Sequence, residues 1–171
     1  EAVVGNGSAC GLKVDYSEDG ESLLGTGGAI VKALPLPGPT FFVLYGDSFL
    51  PVSFAEVESQ WHQKKKSALM AVFRNEGQWD TSNVFFENAM VIEYNKHEPR
   101  PEMSFIDYGL AVLSSEAFAD YRDSTPFDLA DLYHDLSLAG KLAGMEVFER
   151  FYEIGSHQGL AQAEAYFNRT D

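Results

Sequence analysis

The chain has 171 residues, 45% of them hydrophobic, with 13 Phe and 8 Tyr, which allows one domain with a core and excludes a disordered segment. Its formal net charge of −14 offers no positive footprint to nucleic acid or an anionic membrane surface, so neither is expected as a partner. The single cysteine, Cys10, cannot close an internal disulfide, no apolar run is long enough to span a bilayer, and the opening residues lack the features of a signal peptide. A reducing cytoplasm is the expected compartment.

Along the chain, Gly5-Asn6-Gly7-Ser8 reads as a loop, and Leu12 to Tyr16 alternates like a short strand. Leu23-Leu24-Gly25-Thr26-Gly27-Gly28 is a glycine-rich turn opening a helix along Ile30, Ala33 and Leu34, which Pro35 and Pro37 end. Such a turn presents backbone N–H groups to a ligand. The next stretch, Phe41 to Leu50, reads FFVLYGDSFL. Its apolar start predicts a strand buried on both faces, as in the centre of a parallel sheet. The run stops at Gly46 and Asp47. In open α/β sheets ligands bind at the carboxyl ends of strands, and a carboxylate there is well placed to hold a metal. Asp47 is therefore expected to organise the chemistry.

Ser53-Phe54-Ala55-Glu56 forms a capping box for a helix with Phe54, Val57 and Trp61 on one face, closed by Lys64-Lys65-Lys66. Ala68 to Phe73 reads as a strand. Val84 to Glu87 and Met90 to Tyr94 read as a hairpin around Asn88-Ala89. Met103 to Leu113 is a long apolar strand interrupted by Asp107. Thr125 caps the next helix, with Pro126 at its first position, an apolar stripe of Leu129, Leu132, Tyr133 and Leu136, and Gly140 as its end. Val147 to Ile154 is the last strand region, and Ser156 caps a final helix bearing Leu160, Ala163 and Phe167. Alternating strands and helices predict an α/β sheet layered by helices.

Two chemistries compete at Gly46-Asp47-Ser48. A strand ending in GDS resembles the nucleophile motif of GDS-type serine esterases, which would use Ser48 as nucleophile, His134 as base and Asp131 to orient it. Asp131 and His134 instead fit the polar face of an amphipathic helix. Five segments in order support a different resemblance: LLGTGGAI from Leu23 to Ile30, the strand ending at Gly46-Asp47, Tyr94-Asn95-Lys96, Asp107-Tyr108-Gly109-Leu110, and Phe151-Tyr152-Glu153-Ile154-Gly155-Ser156. Together they resemble the sugar-1-phosphate nucleotidyltransferases, the nucleotide-sugar pyrophosphorylases, over almost the whole chain.

That resemblance implies a three-layer α/β/α Rossmann-like fold with a mixed, mainly parallel sheet, as one nucleotidyltransferase domain over residues 1–171. It implies transfer of a nucleotidyl group from a nucleoside triphosphate to a sugar 1-phosphate, releasing pyrophosphate, for polysaccharide or glycoconjugate synthesis. Gly25, Thr26, Gly27 and Gly28 would bind the nucleotide through backbone groups, and Asp47 and Glu153 would hold Mg²⁺. Glu153 stands where the family usually carries an Asp, and its alternative is a solvated acid before a helix. Lys96 would meet the sugar phosphate, and Asn83 and Asp107 the sugar hydroxyls; Asp107 has the alternative of a polar residue satisfied within the sheet. The family's G-x-G-T-R loop and Lys-Pro segment are not found in this sequence, so the chain is expected to be the family's downstream portion, truncated at its N-terminus, with an unpaired sheet edge and no activity by itself. A non-catalytic nucleotide or sugar-phosphate binding module is the alternative.

Overall fold

The computed structural model describes residues 3–79, 81–124 and 126–168. Its elements are α1 (Gly25–Ala33), β1 (Thr40–Leu44), β2 (Ser48–Phe49), α2 (Phe54–Lys64), β3 (Ala68–Arg74), β4 (Val84–Glu87), β5 (Met90–Tyr94), β6 (Phe105–Ser114), α3 (Leu129–Leu138), β7 (Leu142–Val147), β8 (Tyr152–Glu153) and α4 (His157–Phe167), with short 3₁₀ turns at Ser8–Cys10 and Ser115–Tyr121. Six strands form one sheet in the order β1-β6-β3-β7-β5-β4, and β2 pairs with β8 separately. β4 also returns to β6 through Val84 and Phe105, which closes a ring of pairings around the hairpin.

Side chains alternate along the central strands and build a core on each face. Ala68, Met70 and Val72 of β3 and Ala111 and Leu113 of β6 pack under α3 and α1, against Leu132, Leu136 and Ile30. Leu69 and Ala71, with Tyr108, Leu110 and Val112, face the other way toward Val57 and Trp61 of α2. The result is helix, sheet, helix, the expected three layers.

The sheet is mixed, but it is not mainly parallel. β3 and β7 form the one parallel pair among the described residues, while β6 runs antiparallel to both β1 and β3. The apolar runs reported burial on two faces, which helices on both sides produce whatever the strand direction. β1, read as central and buried on both faces, is an edge strand paired only to β6 among the described residues, half-buried from Thr40 to Val43 and exposed at Leu44 and Tyr45.

Local signals fared unevenly. Ser53 and Ser156 cap α2 and α4, accepting from the N–H groups of Glu56 at 3.3 Å and Gly159 at 2.9 Å. The hairpin falls where the sequence puts it, with Asn88 and Ala89 at φ of 51° and 58°, the turn that matches strand twist. Leu12 to Tyr16 is not a strand: it lies against the loop at Asn6 and Gly7, and Leu12 is exposed. Alternation without a neighbouring strand makes no ladder. The cap of α3 is Asp128, which accepts from Ala130 N–H at 3.0 Å; Thr125, the cap expected from the sequence, lies outside the described residues. The last strand region is two strands, β7 and β8. β7 begins before Val147 and was hidden by Ala143, Gly144 and Met145, which carry little strand propensity.

Candidate functional site

β1, β3 and β7 point the same way, since β1 and β3 both oppose β6 and β3 parallels β7. Their carboxyl ends therefore share one edge of the sheet, and the segments after them, 45–47, 75–83 and 148–156, emerge together. This is the edge where α/β sheets bind ligands.

Asp47 and Glu153 meet on one side of it. Ser48 pairs with Glu153 across β2 and β8, and Ile154 N–H donates to the Asp47 carbonyl at 2.9 Å. The side chains border a common residue: a Cβ on Gly155 would lie 3.2 Å from Glu153 Oε2 and 3.4 Å from Asp47 Oδ2. Asp47 Oδ1 accepts the Ser48 hydroxyl at 3.2 Å. Glu153 is held harder, accepting the Ser156 hydroxyl at 2.7 Å and the Ser156 N–H at 3.1 Å. The Ser156 hydroxyl is the main cause of its lowered pKa, since hydrogen bonds to the charged form favour it. The alternative role of Glu153, an acid serving a helix start, is thus realised in part.

No group of three or more His, Cys, Asp or Glu among the described residues makes a metal cage. Mg²⁺ commonly takes one or two protein carboxylates and completes its shell with water and substrate phosphates. Two hard carboxylates bordering one small residue fit that mode.

The second pole joins distant parts of the chain. Lys96 Nζ lies 3.3 Å from Asp128 Oδ2, while Asp128 Oδ1 accepts the Thr26 hydroxyl at 2.9 Å, and Thr26 Oγ1 accepts Leu129 N–H at 2.8 Å. Burial opposes the charge on Asp128, but the Ala130 N–H, the Thr26 hydroxyl and Lys96 together outweigh it, and its pKa is lowered. The glycine turn has an internal reason. Gly27 and Gly28 N–H groups bond to the Phe127 carbonyl at 3.1 and 3.4 Å. A Cβ on Gly25, at φ +73°, would overlap that carbonyl, and one on Gly27 would enter the Phe127 ring. These glycines admit Phe127 and dock α1 on the start of α3.

Asp107 and Asn83 sit beside this pole. Asp107 Oδ1 accepts Gly109 N–H at 2.9 Å and Oδ2 accepts the Tyr45 hydroxyl at 3.1 Å, while Asn83 Oδ1 accepts Asp107 N–H at 3.4 Å. Burial pushes the Asp107 carboxyl up to about 6, against the pull of Gly109, Tyr45 and Lys96. Burial and the Asp107 charge also raise the hydroxyl of Tyr45, so it stays a hydrogen-bond donor.

The structure thus gathers Asp47 with Glu153, Lys96 with Thr26 through Asp128, and Asn83 with Asp107. It does not gather the esterase trio. Ser48 bonds to Asp47 on β2, whereas His134 Nδ1 lies 2.7 Å from the Tyr94 carbonyl and Asp131 faces His97 at 3.5 Å, both on α3. Asp128 and Tyr45 were not singled out from sequence. Asp128 directly precedes an apolar helical stripe, a cap signal that pointed to it; Tyr45 carried none.

No known family model matches the chain. Solved structures share its fold. One is a candidate glucose-1-phosphate thymidylyltransferase from Bacillus anthracis in complex with sucrose, with 18% identity and a TM-score of 0.81 over 96% of this chain and 69% of that one. Another is the inositol-1-phosphate CTP transferase from T. maritima, with 15% identity and a TM-score of 0.64 over 80% of this chain and 58% of that one. HddC from Yersinia pseudotuberculosis, also solved with GMP-PN, has 18% identity and a TM-score of 0.69 over 86% of this chain and 64% of that one. The chain spans less than two thirds of the last two. At these identities the likeness is one of fold, and it agrees with the resemblance carried by the five sequence segments.

Proposed function

We propose that the protein containing this chain is a sugar 1-phosphate nucleotidyltransferase, with its reacting centre at Asp47. The observation that carries this reading is the placement of Asp47 and Glu153 around Gly155, at the carboxyl edge of a fold similar to those of a candidate glucose-1-phosphate thymidylyltransferase and an inositol-1-phosphate CTP transferase. Asp47 and Glu153 would hold Mg²⁺, which when bound supplies charge neutralisation to the phosphates.

The chain's own residues do the remaining work. Lys96 offers a point charge to the phosphate of the sugar, which competes with Asp128 for its N–H donors. Asn83 donates its side-chain NH₂ to a sugar hydroxyl, since its oxygen is engaged by Asp107 N–H. The Asp107 carboxylate, fixed by Gly109 and Tyr45, accepts from another hydroxyl. The turn from Gly25 to Gly28 borders the nucleotide and keeps Thr26 on Asp128. An oxygen of the sugar 1-phosphate attacks the α-phosphorus in line. The new phosphorus–oxygen bond forms as the α–β bond breaks and pyrophosphate leaves with the electron pair. Positioning and charge, with no protein nucleophile, suffice for such a transfer.

The test is pyrophosphate release by the full-length gene product from nucleoside triphosphates, with and without a sugar 1-phosphate and Mg²⁺. Release that requires both supports the reading. A folded protein that releases none with any base and sugar pair contradicts it.

A further inference from the structure

Arg150 has no part in the chemistry above, yet it is the most firmly oriented cation at this edge. Its guanidinium carbon lies 3.9 Å from the centre of the Trp79 ring and 4.7 Å from that of Tyr152. Nε donates to the Phe151 carbonyl at 3.2 Å and Nη2 to Gln162 Oε1 at 2.8 Å. A guanidinium has five N–H donors, so the others lack an acceptor among the described residues.

Arg74 reaches Glu146 at 3.5 Å and Arg100 pairs with Glu93, whereas Arg122 and Arg150 have no carboxylate partner among the described residues. Arg122 is exposed on the surface, whereas Arg150 is packed on aromatic rings. Arg150 lines a pocket of about 380 Å³ with Gln78, Trp79, Ser156, Gln158 and Gln162. Glu153 is also in the wall, its carboxylate turned to Ser156, which donates to both oxygens. The two rings lie close to the guanidinium carbon, and the Nη1 donors, part of the planar fork that matches an oxyanion, have no acceptor among the described residues. Trp79 is itself placed by Asn75, whose Oδ1 accepts Trp79 N–H at 3.0 Å.

We propose that Arg150, held against Trp79 and Tyr152, is the anion-binding residue of a second ligand subsite at the carboxyl edge, and that it takes a phosphate group. The subsite shares Glu153 with the Asp47 pole. Its existence rests on this geometry. Only the source of the phosphate, free pyrophosphate or a sugar phosphate, rests on the function proposed above.

Trp79 is 42% exposed and one of two tryptophans in the chain, so in a Trp61→Phe background its fluorescence reports the pocket. The titrants are inorganic phosphate, pyrophosphate and glucose 1-phosphate at constant ionic strength. A saturable change in emission is expected, with a midpoint raised about tenfold or more by Arg150→Gln, the loss of a charge-assisted contact, and unmoved by Arg122→Gln, which removes an exposed arginine elsewhere. Tightest binding of pyrophosphate assigns the subsite to the leaving group, and tightest binding of glucose 1-phosphate assigns it to the sugar substrate. Arg150→Lys, which keeps the charge without the fork, is titrated beside it and is expected to bind more weakly than the parent. No saturable change with any titrant, a change undiminished in both Arg150 variants, or one lost equally in Arg122→Gln would overturn the proposal. Absence of nucleotidyl transfer would leave this result untouched.

Discussion

The two poles of the carboxyl edge are wired differently. Around Lys96, each functional group is tied to a residue far away in sequence: Thr26 to Asp128, Lys96 to Asp128, Tyr45 to Asp107 and Asn83 to Asp107. Around Asp47 the side-chain bonds are local, Ser48 to Asp47 and Ser156 to Glu153. The first pole is inseparable from the fold, because it holds α1, α3 and β6 together. The second can rearrange around a ligand at little cost to the rest. A sugar needs fixed hydroxyl partners, whereas phosphates and a cation need reachable charge, and the two kinds of wiring suit those needs.

Substitutions should separate the poles by their effect on global stability, read from urea midpoints. The largest loss is expected for Gly27→Ala, whose methyl would enter the Phe127 ring; overpacking of this kind costs about 1–3 kcal/mol. Gly46→Ala, beside Asp47 with nothing within 4 Å of the added methyl, should lie within about 0.5 kcal/mol of the parent. Equal losses would erase the contrast.

Asp107→Asn comes next, and it acts through pH. The folded carboxyl is pushed up to about 6 from 3.8, so ionisation favours the unfolded chain. The parent should lose stability as pH rises from about 4 to 6, and the variant should not, gaining about 2 kcal/mol on the parent across that window. Parallel pH profiles would show that Asp107 is as well solvated folded as unfolded.

Thr26→Val removes the acceptor of Leu129 N–H and a donor to Asp128, at a cost of about 1 kcal/mol. Glu153→Gln is the smallest, within about 0.5 kcal/mol, since its partners are a local serine at the start of α4. A larger loss there would mean that the second pole also holds the fold.

The same division explains what the sequence made legible. Signals carried by neighbours in the chain were readable: the Ser53 and Ser156 caps, the Asn88-Ala89 turn, and the closing of FFVLYG at Asp47. Asp107 and Asn83 could be named as candidates, but not their bonds to Tyr45 and to each other, because those join residues on separate strands. Strand direction was not legible either, since an apolar run such as Ala68 to Val72 records burial on two faces and nothing about its neighbours. The glycines of GTGG were read as room for a ligand. The structure fills part of that room with Phe127, a residue about a hundred positions away.

The central claim, that Asp47 organises a nucleotidyl transfer, is tested most directly by pyrophosphate release from parent and Asp47→Asn full-length proteins at equal stability. The account predicts a fall of about 100-fold or more in the variant, with urea midpoints unchanged because the Asp47 side chain bonds only to Ser48 among the described residues. Unchanged turnover in Asp47→Asn would contradict it.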